Sequence, residues 1–119
     1  MSHLNNKGKI ISEASVNATL LKDKSALLGF LTATNSGEEE AYLKVYDQET
    51  EPDVGTDVPT FTFLIPAGNA GAGSNLGIPF GGIDFGRGLA IAITGGEADD
   101  DATAVDAGQV IVNYAFRTI

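Results

Sequence analysis

Cysteine and tryptophan are absent from this chain, and its one histidine, His3, lies next to the first residues. Without thiols there is no disulfide framework and no thiolate metal site, so stability must come from packing or oligomerisation. His3 sits where a chain terminus is usually loose, and most of the side chains used in nucleophilic or acid–base catalysis are missing. An enzyme would have to work with carboxylates alone, as a glycosidase does with two of them about 5 to 10 Å apart. The acids here fall in loop-like stretches, without the tryptophans that a sugar-cleaving cleft commonly adds. The expectation is therefore a non-enzymatic protein with no cofactor.

Long apolar runs are missing too. Nothing approaches the ~20 apolar residues of a membrane helix, and residues 1–7 lack the apolar centre of a secretion signal. A soluble chain without membrane contact or a cleaved signal is expected. Basic charge is scarce: seven Lys and Arg stand against sixteen Asp and Glu, for a net charge of -9. A domain of that sign is repelled by nucleic acid phosphates, which argues against nucleic acid as a partner. Residues 1–24 carry +2 (Lys7, Lys9, Lys22 and Lys24 against Glu13 and Asp23), whereas residues 25–119 carry -11. A mildly basic arm on an acidic body fits an acidic neighbouring surface, such as an adjacent copy, or simply a solvated terminus.

What is present is β-forming. At 119 residues, with 43% hydrophobic and 19% charged residues, the chain has the composition of one folded domain. Residues 14–21 form a first strand candidate. Leu27 to Thr34 form a second, with Leu28, Phe30 and Thr32 on one face and Leu27, Gly29 and Leu31 on the other, as in an inner or covered strand. Asn35-Ser36-Gly37 reads as a turn, with Glu38, Glu39 and Glu40 at its exposed end. In Tyr42-Leu43-Lys44-Val45-Tyr46, Leu43 and Val45 mark the core face and Tyr42 and Tyr46 the other. Those tyrosines suit a sugar or a partner protein, or packing against a neighbouring strand or subunit.

Asp47 to Pro59 is too polar and too broken by proline for a regular element, so it reads as a long loop and a candidate contact surface. Phe61, Phe63 and Ile65 alternate with Thr60, Thr62 and Leu64 in the clearest core strand. Gly68, Gly71, Gly73, Gly77, Gly81, Gly82, Gly86 and Gly88 are dense enough to raise a phosphate loop. No helix signal or Gly-Lys-Ser/Thr follows, so tight turns and close strand approach explain them better. Leu89, Ile91 and Ile93 alternate with Ala90, Ala92 and Thr94, leaving a small-residue face that another layer can approach. Glu97, Asp99, Asp100 and Asp101 offer oxygens to a calcium ion but lack EF-hand spacing; a solvated hairpin tip is the default for such a run. Gln109 to Phe116 is the last strand.

Seven or eight short strands with turn-rich connections predict an all-β fold: a single-domain antiparallel β-sandwich with jelly-roll or related Greek-key topology. Residues 1–12 are expected as a flexible N-terminal arm and residues 13–119 as the sandwich.

The runs Tyr42-Leu43-Lys44-Val45-Tyr46, Val54-Gly55-Thr56-Asp57-Val58-Pro59, Ile65-Pro66-Ala67-Gly68 and Gly88-Leu89-Ala90-Ile91-Ala92-Ile93-Thr94-Gly95-Gly96 resemble, in order and spacing, those of small structural proteins of tailed bacteriophages. The resemblance covers residues 42–104, about half the chain. It implies a virion protein, foremost a capsid decoration or cement protein on the capsid surface that bridges and stabilises capsid subunits. Many such proteins are β-rich trimers, and some clasp a neighbour with an N-terminal arm. The implied partners are the major capsid protein or another virion protein and further copies of the chain, as a homotrimer. Lys7, Lys9, Ile10 and Ile11 are the candidate interface. The alternative is a receptor- or carbohydrate-binding module of a phage tail or fibre, with Tyr42, Tyr46 and loop 47–59 facing the ligand.

Overall fold

A computed structural model describes residues 4–68 and 82–119; among the glycines singled out above, Gly71, Gly73, Gly77 and Gly81 lie outside the described residues. The described elements are eight strands: β1 (Asn6–Ile11), β2 (Thr19–Lys22), β3 (Ala26–Asn35), β4 (Ala41–Tyr46), β5 (Phe61–Ile65), β6 (Ile83–Phe85), β7 (Leu89–Thr94) and β8 (Val110–Thr118). They form two antiparallel four-stranded sheets, β1-β8-β3-β6 and β2-β7-β4-β5. The pairs β1·β8, β2·β7, β3·β6 and β4·β5 set the first strand against the last and work inward along the chain. The expected all-β sandwich is the observed architecture.

The core lies between the layers. The β1-β8-β3-β6 sheet contributes Leu28, Leu31, Phe85, Val110, Val112 and Phe116; the β2-β7-β4-β5 sheet contributes Leu43, Val45, Ile65, Leu89, Ile91 and Ile93. Phe61 meets Phe85 edge-on across the layers, with ring centroids 6.1 Å apart. Asn35, fully buried, donates to the carbonyls of Glu39 (2.9 Å) and Ile65 (3.1 Å) and accepts from the Gly37 amide, so the expected turn is fastened to β5.

Three local expectations change. From Asn6 onward the expected flexible arm is a strand, paired residue for residue with β8 from Asn6↔Phe116 to Ile11↔Ile111. Beyond it Ser12 is buried, and its hydroxyl donates to the Asp106 carbonyl and accepts from the Val110 amide. The candidate strand over 14–21 starts only at Thr19. Asn17 adopts φ 50°, and its side-chain amide bonds the backbone of Glu13 and Ser15, a turn chemistry that asparagine tolerates. In β3 the alternation breaks at Gly29, where a bulge lies between Leu28 and Phe30. The extra residue turns both Leu28 and Leu31 inward and swings Phe30 out to 46% exposure.

Gly88, just before β7, is where close approach of the flanking chain demands a glycine. A Cβ there would collide with the Gln48 carbonyl oxygen and lie 2.8 Å from the Lys22 carbonyl oxygen, both backbone atoms with little room to yield. Gly86→Ala would meet nothing within 4 Å. In urea denaturation Gly88→Ala is expected to lower stability by about 2 kcal/mol, and Gly86→Ala by less than about 0.5 kcal/mol.

Candidate functional site

The central strands of sheet β2-β7-β4-β5, β7 and β4, carry buried residues on both faces. Alternation along β4 sends Lys44 and Tyr46 away from the core, yet both have no exposed surface, and neither do Ala90 and Ala92 on β7. Tyr46 packs with Ala90 and Ala92, with Leu20 and Val54 against them. The small face of β7 thus accepts a second layer, supplied by loop 47–60 and by the acidic segment after β7. Tyr46 is not a surface ring: its hydroxyl is buried without a hydrogen-bond partner among the described residues, and burial, with Asp57 and Asp99 nearby, raises its pKa. Tyr42 stays partly exposed beside Glu40, with its phenol at 3.4 Å from a Glu40 carboxylate oxygen. Desolvation and the carboxylates of Glu40 and Glu97 raise its pKa.

The acidic segment is more than a solvated tip. Lys44 Nζ donates to the carbonyl oxygens of Ala98 (2.6 Å) and Asp101 (3.0 Å), so an ammonium from β4 serves where a bound cation was considered. Burial pulls the Lys44 pKa down, against the opposite pull of Asp101, Asp99 and Asp100. Asp101 accepts from the Thr103 amide at 2.9 Å, and that bond, with the Lys44 charge adding to it, holds its carboxyl below 3.8. In the other loop, Asp57 accepts from Gln48 Nε2 (2.9 Å) and the Asp53 amide (2.8 Å) and is likewise lowered. Gly55, at φ 103°, makes the turn between Asp53 and Asp57. Among the described residues no group of three or more His, Cys, Asp or Glu is placed to hold a metal ion.

The outer face of sheet β1-β8-β3-β6 is the open one. Alternation and register set Lys7, Ala115 and Phe30 in one row, Lys9, Asn113 and Thr32 in the next, Ile11, Ile111 and Thr34 in a third, and Arg117 beside Leu27. Phe30 and Ile11 are 46% and 53% exposed. Of the expected interface residues, Lys7, Lys9 and Ile11 therefore share this face. Ile10 does not, because it packs on the core opposite Val112. Tyr42 and Tyr46 belong to the other sheet. Phe30 and Arg117 join the face without having been anticipated; the glycine inside the β3 pattern was the available sign of a bulge. Lys7 and Lys9 also lie on an edge strand, where lysine discourages strand-to-strand aggregation.

Two hollows flank these surfaces. One, of about 470 Å³, is lined by Asn5, Asn6, Lys7, Leu21, Tyr114 and Phe116. The other, of about 240 Å³, has Glu39, Glu40, Thr103, Asp106 and Gln109 in its wall. No described helix is long and apolar enough to cross a membrane. No family model, curated protein or solved structure matches the chain.

Lys44→Met removes a charge that is costly to bury along with the bonds that offset it, so global stability should change by about 1 kcal/mol or less. Amide exchange at Asp101 and Thr103 should nonetheless accelerate as the segment loosens; unchanged exchange would contradict the latch. Tyr46→Phe should leave stability equal or higher by up to about 1 kcal/mol, since the hydroxyl it deletes is buried without a partner.

Because Asp101 is held below 3.8, its contribution is complete above that value and drains away as pH falls through the folded pKa. The gap in thermal midpoint between wild type and Asp101→Asn should be widest near neutral pH and narrow below about pH 4.

Proposed function

We propose that the chain is a non-enzymatic virion structural protein of a tailed bacteriophage, acting as a capsid decoration or cement protein that bridges and stabilises capsid subunits. The observation that carries this reading is the outer face of sheet β1-β8-β3-β6. It is a flat β surface with Phe30 and Ile11 exposed and with Lys7, Lys9 and Arg117 set on an otherwise acidic chain. Apolar groups ringed by charge on one flat face suit contact with a protein rather than a small molecule. The resemblance over residues 42–104 supports a virion setting. Each contact of this size is modest, but one repeated across a lattice resists the internal pressure of packaged DNA by many simultaneous attachments.

A carbohydrate-binding role on a tail or fibre has less support. Its platform required both tyrosines at the surface, and Tyr46 is fully buried. Loop 47–60 is spent largely on covering its own sheet, although Val58, 69% exposed, and its carboxylates still face outward.

Deleting residues 1–12 is a poor test of attachment, since it would strip β1 from β8 and uncover the core at Ile10. Charge reversal on the open face avoids that. Purified Lys7→Glu/Lys9→Glu protein, added to particles lacking the chain, should occupy them at least about tenfold more weakly than wild type, with an unchanged melting profile. Equal occupancy would remove this face from the attachment.

A further inference from the structure

We propose that the outer face of sheet β1-β8-β3-β6 docks on the two acidic loops of a second copy of this chain. The inference rests on the reading above only in taking this face as a protein-contact surface, and it names the partner. The two surfaces lie on opposite sides of the sandwich, and each has what the other lacks. On the open face, Lys7, Lys9 and Arg117 have no carboxylate partner among the described residues, and Asp84 is the one acid in register with them. On the far side, residues 47–60 carry five carboxylates and residues 95–103 carry four, with no lysine or arginine in either. Lys44 beneath them is buried and already bonded to backbone carbonyls.

Apolar groups complement each other as well. Phe30 and Ile11 are 46% and 53% exposed on the open face; Val58 and Leu64 are 69% and 48% exposed on the loop side. Leu64 is paired with Tyr42 on the outward side of β5. At a net charge of -9 two copies repel in most orientations. Cations against carboxylates is the approach that attracts, and open face against open face sets three cations against three. Charge thus selects a heterologous contact over a two-fold one.

The strands of the open face offer roughly 450 Å² in projection, or about 900 Å² counted on both partners, the size of a weak and reversible interface. Such a contact should be sensitive to salt. Being heterologous, it closes into a ring or runs on as a stack according to the rotation between copies.

Sedimentation velocity of the purified full-length protein tests this. Association is expected at about 20 mM salt, with the dissociation constant rising at least about tenfold at about 500 mM. Lys7→Glu/Lys9→Glu and Asp99→Lys/Asp100→Lys should each sediment as monomers, and their equimolar mixture should recover association, because the unchanged open face of the second variant meets the unchanged loops of the first and the reversed face meets the reversed loops. Arg117→Glu is a second probe of the open face and should also weaken association. A wild type that stays monomeric up to about 100 μM at low salt would overturn the proposal. So would association that Lys7→Glu/Lys9→Glu leaves intact. Asp99→Lys/Asp100→Lys keeps the open face unchanged while removing self-association, so its occupancy of particles reports attachment by that face alone, and this inference and the virion reading fail separately.

Discussion

A lysine ammonium with no exposed surface lies outside the core of this sandwich, held by the carbonyls of Ala98 and Asp101. That contact decides which side of the molecule is closed. Sheet β2-β7-β4-β5 has buried residues on both faces, and its second cover is made from loops poor in apolar groups and rich in carboxylates. The apolar cluster under that cover has few members, Tyr46 with Ala90, Ala92, Leu20 and Val54. Hydrogen bonds to Lys44, Asp57 and Asp101 do much of the fastening, and bonds to charged groups are stronger than neutral ones. Among the described residues the opposite sheet has no such cover over its Lys7, Phe30 and Ile11 rows. The asymmetry leaves one flat, partly apolar, cationic surface on an acidic protein.

Much of the architecture was legible because β4, β5 and β7 alternate with period two, and β5 and β7 stop at Pro66 and Gly95. What escaped depends on long-range partners. Residues 6–11 read as an arm because Lys7, Gly8 and Lys9 look solvated, and it is pairing with β8 that makes them a strand. Ile10 therefore faces the core instead of a neighbour. The three-residue β6 sits within a glycine-rich stretch too short in apolar residues to stand out. Tyr46 looked like a surface ring because alternation reports which side of a sheet a residue occupies, not whether a distant loop covers that side. The burial of Lys44 is hidden for the same reason: it depends on the chain 54 and 57 residues further on.

The candidate interface was partly legible. Lys7, Lys9 and Ile11 were found through charge and position, while Phe30 and Arg117 needed the bulge at Gly29 and the register of β8 to join them. The acidic loops, by contrast, combine a role in covering their own sheet with an electrostatic one, since their exposed carboxylates remain free to meet cations. The two outer sides of the sandwich thus differ in charge, with Lys7, Lys9 and Arg117 on one and the acidic loops on the other.

The most direct measurement of the central claim is an electron cryomicroscopy reconstruction of the intact particle. The account predicts this chain in many copies across the capsid lattice, with Lys7, Lys9 and Phe30 buried in a protein contact. A few copies at the tail or fibre tips, with that face open to solvent, would contradict it.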